Sequence, residues 1–274
     1  GSHSLADCRH RGPSDGAAAM SEPRLRAQLV DYSQRLHARG WVANHDGNLS
    51  ARIADGRFLC TPTATSKAEV SADGLLIVDG SGQRITGRSK PFGELGLHMC
   101  VYKSRTDVQA VIHAHPPHAT ALAATGLALD QPFLAEAVVS IGPQVPVVPI
   151  SAPGPAAVAM LEPYAPSFDV VMIVGNGVFA WGDSVEQAYL RLELCEHLAR
   201  IYLLARPLGG PQPLPAALIP PLLEARRKAG LGPEARGVRA PAIPAPAAKA
   251  QPAVAADKIG DLIRQELAAA LKRG

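Results

Sequence analysis

The chain has 274 residues, enough for one generous domain or two modest ones, and 47% of them are apolar. Its 27 Lys and Arg stand against 24 Asp and Glu, a near balance that excludes the broad basic face of a nucleic-acid binder and leaves small anionic ligands open. Cys8, Cys60, Cys100 and Cys195 are widely spaced with no C-x-x-C pair, which excludes a disulfide framework and a zinc knuckle.

Residues 1–21 show no periodicity and read as a disordered leader. From Glu22 the spacing of Leu25, Leu29, Tyr32 and Leu36 predicts a helix closed by Gly40. "NLSARI", "RFLCT", "GLLIVD" and "QRITG" follow, separated by Gly and Asp turns, and predict an antiparallel meander. "ELGLHMCVYKS" has helical spacing, "VQAVIHAH" reads as a buried strand, and "PHATALAAT" as a short helix that starts after proline. "DVVMIVG" and "GVFAWG" predict two more strands before the long helix "SVEQAYLRLELCEHLARIYLLA". Strands and helices alternate without a strict βαβ rhythm, so one α/β domain is expected over residues 22–206.

After Arg206 the composition turns to proline and alanine, and residues 207–256 read as a semi-stiff linker with a short helix around "AALIPPLLEARRKAG". Residues 257–274 resume helical order, with Asp257 as N-cap and Ile259, Leu262, Ile263, Leu267 and Leu271 on one face. An isolated amphipathic helix of about four turns is marginal alone and calls for a partner. No stretch approaches the roughly 20 apolar residues that span a bilayer. The N-terminus also lacks the apolar core of a secretory signal, so a cytoplasmic protein without membrane contact is expected.

On a strand, residues two apart face the same side, so His113 and His115 can converge on one divalent ion while Ala114 packs behind them. The alternative is a pair of hydrogen-bonded histidines. Glu94, at the start of the helix before them, is open to three uses: metal ligand, general base, or a dipole-favoured cap. His98, His118 and His197 are expected to cap or pack in place.

The segments "DGNLS", "TPT", "KPFGELGLHMCVYKSR", "AVIHAHPPHATALA", "VPVVPISAPG" and "VGNGVFAWG", in this order over about residues 25–205, resemble the class II aldolase/adducin family, in the branch of fuculose-phosphate and related aldolases. The resemblance implies a three-layer α/β/α fold with a central, mostly antiparallel sheet, and a fourfold homotetramer with sites between subunits. It implies a zinc-like ion held by His113 and His115, Glu94 as the group that abstracts the proton, and a phosphate seat at Gly47, Asn48, Thr61 and Thr63. Asn176 stands where the family usually has its third metal-ligating histidine, so the expected third ligand is its weaker amide oxygen, with a recruited water or a harder metal as the alternatives. Phe92 and Gly93 replace two phosphate-binding serines, and Ala64 replaces a glycine, leaving Thr63, Thr65, Ser66 and Lys67 as an alternative cradle. Ser151 replaces a tyrosine acid of the fuculose-phosphate aldolases.

The expected activity is retro-aldol cleavage of a ketose or ketose phosphate. The rivals are a ribulose-phosphate-type epimerase and a non-catalytic scaffold with the same fold. The linker and terminal helix resemble the encapsulation peptides of bacterial microcompartments, which implies shell proteins as partners of residues 257–274; the alternative is a C-terminal helix that docks back on its own domain.

Overall fold

A computed structural model describes residues 21–53 and 56–237. The expected leader, except Ser21, and the expected terminal helix lie outside the described residues, as does the linker beyond Gly237.

The first helix, α1 (Glu22–Ala38), forms where the apolar spacing requires, with Leu25, Leu29, Tyr32 and Leu36 buried and a proline in its first turn, where a missing N–H costs nothing. The meander is β1 (Asn48–Ile53), β2 (Arg57–Cys60), β3 (Leu76–Val78) and β4 (Arg84–Thr86), all antiparallel. Next come α2 (Leu95–Ser104), β5 (Ala110–Ala114) and α3 (Pro117–Thr125). Three short elements escape the periodicity: α4 (Ala135–Ser140), β6 (Val147–Val148) and α5 (Pro155–Leu161). Segments of two to seven residues are too short to show a repeat of 3.6 or 2. The strands β7 (Val170–Ile173) and β8 (Gly177–Gly182) and the long helix α6 (Val185–Ala205) complete the expected series.

The eight strands form one sheet in the order β4-β3-β2-β1-β5-β8-β7-β6. Every neighbouring pair is antiparallel except β6 and β7, which are parallel. Alternation along β5 sorts the two faces: Ala110, Ile112 and Ala114 join the main apolar core with residues of α1, α3 and α6. His113 points the other way, stacked on Phe179 at 4.0 Å between ring centroids. Phe179 in turn meets His98 of α2 edge-on. Helices therefore cover both faces, with α1, α3 and α6 on one side and α2, packed with α5, on the other. This is the expected three-layer α/β/α architecture with a mostly antiparallel sheet.

The domain extends past residue 206. The short helix expected within the proline-rich stretch is present as α7 (Ile219–Lys228), which packs on α4. Its Arg226 reaches the fully buried Asp169 and the Val139 carbonyl. Residues 207–237, expected as the first part of a linker, are thus held to the domain by a buried ion pair. Composition alone does not reveal such an anchor, because one arginine reaching an aspartate 57 residues away has no local signature. Asp169 lies within reach of three guanidinium groups, those of Arg105, Arg191 and Arg226.

Candidate active site

Three turns carry the polar residues to one end of β1, β5 and β8. The first is the turn before β1. Gly47 adopts φ +70°, and a Cβ there would lie 2.5 Å from Val42 Cγ1 and 3.1 Å from the His113 carbonyl, so only glycine fits between them. It delivers Asn48, which pairs directly across from His113 in the β1/β5 register. The second is the end of β5, where the His115 N–H donates to the Trp41 carbonyl and α3 starts two residues later. The third is the β7/β8 turn, in which Asn176 sits between Gly175 and Gly177, both with positive φ. A Cβ on Gly177 would lie 2.5 Å from His115 Cδ2, so this turn closes directly against the imidazole.

The two histidines converge. His113 Nε2 and His115 Nε2 are 3.1 Å apart. His113 Nδ1 lies 3.0 Å from the Val178 carbonyl, and His115 Nδ1 lies 3.0 Å from Asp46 Oδ2. A carbonyl and a carboxylate only accept, so both Nδ1 atoms carry protons, and in the neutral rings both Nε2 atoms present lone pairs. Burial pushes the pKa of His113 down to about 4, so at neutral pH the ring is uncharged and suited to bind a cation. Asp46 escaped the sequence reading. The usual signal is a second-sphere carboxylate for a ligating imidazole, which spacing along the chain does not expose.

Glu94 sits at the N-terminal boundary of α2 without capping it. Its carboxylate turns to the histidines instead. Oε2 accepts from Asn48 Nδ2 at 2.8 Å and lies 3.4 Å from His113 Nε2, while Oε1 accepts from Asn176 Nδ2 at 2.7 Å. Burial works to raise the Glu94 pKa, but attraction to the charged form of His113 and the two amide donors outweigh it and leave it below the usual carboxylate value; once the ring is neutral, the amides are the donors that hold the anion. The cap alternative for Glu94 is therefore set aside: it is an anion held beside two imidazole lone pairs.

The site residues expected from the sequence fare unequally. Glu94, His113, His115, Asn48 and Asn176 come together. Gly47 shapes the turn beneath His113. Thr61 is fully buried, and its hydroxyl bonds the Leu49 backbone across β1 and β2, so it is withdrawn from the expected phosphate seat. Thr63 is half-buried in the loop that follows β2. Lys67, from the alternative cradle, is buried with its ammonium donating to the Thr65 carbonyl at 2.7 Å. Phe92 packs edge-on against His98 with ring centroids 4.9 Å apart. His98 itself is fully buried, held by burial well below its usual pKa, and bonded to Ser50 Oγ at 2.7 Å. Ser151 lies in the loop after β6, its hydroxyl 3.3 Å from the Ala152 carbonyl. His118 and Glu196 pair at the start of α3, where the Glu196 carboxylate also accepts from the Ala119 N–H.

Residues 27–203 match the sequence profile of the class II aldolase and adducin N-terminal domain. The chain belongs to this family. Among relatives in the class II aldolase family, it is 32% identical over 183 residues to methylthioribulose-1-phosphate dehydratase of Methylococcus capsulatus, covering 63% of this chain and 89% of that protein. It is 32% identical over 190 residues to 3-oxo-tetronate 4-phosphate decarboxylase of Pectobacterium atrosepticum, covering 68% and 86%. Among solved structures, YgbL from Escherichia coli superposes with a TM-score of 0.68 at 28% identity, covering 74% of this chain and 99% of that one. L-fuculose-1-phosphate aldolase from Thermus thermophilus gives 0.61 at 27% identity, covering 70% and 100%.

Members of the class II aldolase family typically use a divalent metal. Two imidazole lone pairs facing each other 3.1 Å apart are repulsive unless a cation lies between them or one ring carries a second proton and donates to the other. The donor set therefore fits a divalent cation through two nitrogens. Among the described residues no group of three or more His, Cys, Asp or Glu side chains that could hold a metal ion is assembled, so a cation at the two imidazoles would need further ligands from other groups.

Proposed function

We infer that the chain is a metal-dependent lyase that cleaves a ketose or ketose phosphate by a retro-aldol reaction, releasing an aldehyde and a small ketone fragment. The observation that carries this reading is the amide-held Glu94 carboxylate, with one oxygen 3.4 Å from the imidazole pair. His113 and His115 would hold the ion, and Asp46 and the Val178 carbonyl keep their Nε2 atoms free to do so. A divalent cation, when bound, supplies Lewis-acid stabilisation of the negative charge that develops on the substrate oxygens.

Glu94 handles the proton. As an anion it accepts one from the substrate, and in the protonated form it returns one to the enediolate carbon. The three-sided enclosure by Asn48, Asn176 and His113 fixes where that exchange happens.

The test is an aldehyde-release assay across phosphorylated and free ketoses, with and without added divalent metal, repeated with Glu94→Gln. The expected result is metal-dependent release that falls by about 100-fold or more in the variant. Release unaffected by that substitution would remove Glu94 from the reaction. The relatives named for dehydration and decarboxylation of sugar phosphates favour a second reading, in which the same proton exchange ends in loss of water or carbon dioxide. Product analysis of these incubations, extended to 3-oxo sugar acids and their phosphates as substrates able to lose carbon dioxide, separates the two.

The fourfold assembly and the packaging of residues 257–274 into a microcompartment shell are carried by family resemblance. Light scattering tests the first. Co-assembly of shells with the full chain and with a chain ending at residue 256 tests the second, and equal uptake of both would reject it.

A further inference from the structure

We propose that Asn176 is a positioning residue for Glu94 and acts through that carboxylate, not as the third ligand of the cation. This rests on the lyase reading of the site, and it reassigns a residue at the position usually held by a ligating histidine.

The amide orientation is fixed by its partner. An ionised carboxylate can only accept, so the Asn176 nitrogen faces Glu94 Oε1 at 2.7 Å, a short charge-assisted bond. Asn48 makes the matching bond to Oε2 at 2.8 Å. Glu94 thus has a donor on each oxygen, one from the β1 end and one from the β7/β8 turn. Two such anchors remove the rotation about the terminal torsion that a free glutamate keeps, which is broad and roughly two-fold. A helix-boundary glutamate that does not cap its own helix needs this hold from outside.

The turn is built for it. Gly175 and Gly177 both adopt left-handed backbone with φ of +68° and +69°, which brings Asn176 over the carboxylate while Gly177 passes within contact of His115. A cation bound here would be held among this chain's side chains by the two imidazoles, because the Asn176 amide is engaged with Glu94 and its oxygen is a weak, neutral ligand beside nitrogen donors.

Three measurements on the full chain decide the matter. Zinc affinity of Asn176→Ala, titrated with the metal alone, should equal that of the parent, whereas a loss of about tenfold or more would make the amide a ligand and overturn the proposal. Urea unfolding of the parent, Asn176→Ala, Glu94→Gln and the double variant, without metal or substrate, should be non-additive, because the two side chains share one interaction. Additive shifts of the midpoint would also overturn it. In turnover, Asn176→Ala should lower kcat by about 100-fold with little change in KM, and should cause no further fall in the Glu94→Gln background. A change confined to KM would place Asn176 on the substrate and not on the carboxylate. If no ketose is turned over, the lyase reading fails, while the zinc titration and the unfolding cycle still decide the role of Asn176.

Discussion

His113 and His115 meet through their Nε2 atoms, 3.1 Å apart, while each Nδ1 is engaged on the far side of its ring, one by the Val178 carbonyl and the other by Asp46. Neither ring can turn its lone pair away without breaking its anchor. Replacement of His113 by alanine should therefore abolish stoichiometric binding of zinc, cobalt or manganese, measured by elemental analysis after reconstitution and dialysis. Full occupancy in His113→Ala would show that the ion, if bound, sits elsewhere.

Asp46 meets His115 at Nδ1, not at the Nε2 that faces His113. Its carboxylate holds the His115 tautomer, and its other oxygen accepts from the Ala43 N–H within the same turn. Asp46→Asn keeps the shape but weakens the acceptor, and metal affinity should fall by about 10-fold to 100-fold. Isothermal titration with the metal checks this; affinity equal to the parent would mean that the backbone alone orients His115.

Gly177 is a steric requirement of the site. A methyl group there would approach the Ala114 carbonyl to 2.4 Å and His115 Cδ2 to 2.5 Å, at a φ of +69° that side chains rarely adopt. Gly177→Ala should cost about 1–3 kcal/mol of stability by urea denaturation and should disturb metal binding as well. A variant as stable as the parent would show that the β7/β8 turn relaxes freely.

Asp169 is completely buried at the meeting point of Arg105, Arg191 and Arg226. Burial presses the pKa of Arg191 down to about 10, the sign of a guanidinium poorly hydrated and dependent on its counter-charge. Asp169→Ala leaves buried cations without that partner and should destabilise the domain by about 3–5 kcal/mol. It should also free α7, so limited proteolysis should cut near residues 219–228 sooner than in the parent. Unchanged protection of α7 would show that its packing on α4 suffices.

Much of the fold was legible along the chain, because burial repeats with the geometry of each element. Leu25, Leu29, Tyr32 and Leu36 mark one face of α1, and the alternation in "AVIHA" separates His113 from the core. Both signals are local and read directly from order. The short α4, β6 and α5 fall below the length at which a period appears, and although the sequence predicts the helix α7, its attachment to the domain, through packing on α4 and the Arg226–Asp169 pair, has no local signature in a composition that reads as linker.

By itself, the sequence determined the element series apart from the short α4, β6 and α5, the same-side placement of His113 and His115, and the presence of Glu94 ahead of them. Only the tertiary structure decided what surrounds them: Asn48 and Asn176 reach Glu94 across 46 and 82 residues of chain, and Asp46 reaches His115 from another turn. It also decided that Thr61 is closed into the sheet and that Glu94 leaves its helix uncapped. The physical reason is range. Periodicity is set by neighbours along the backbone, whereas hydrogen-bond partners are set by which turns the sheet brings to the same edge.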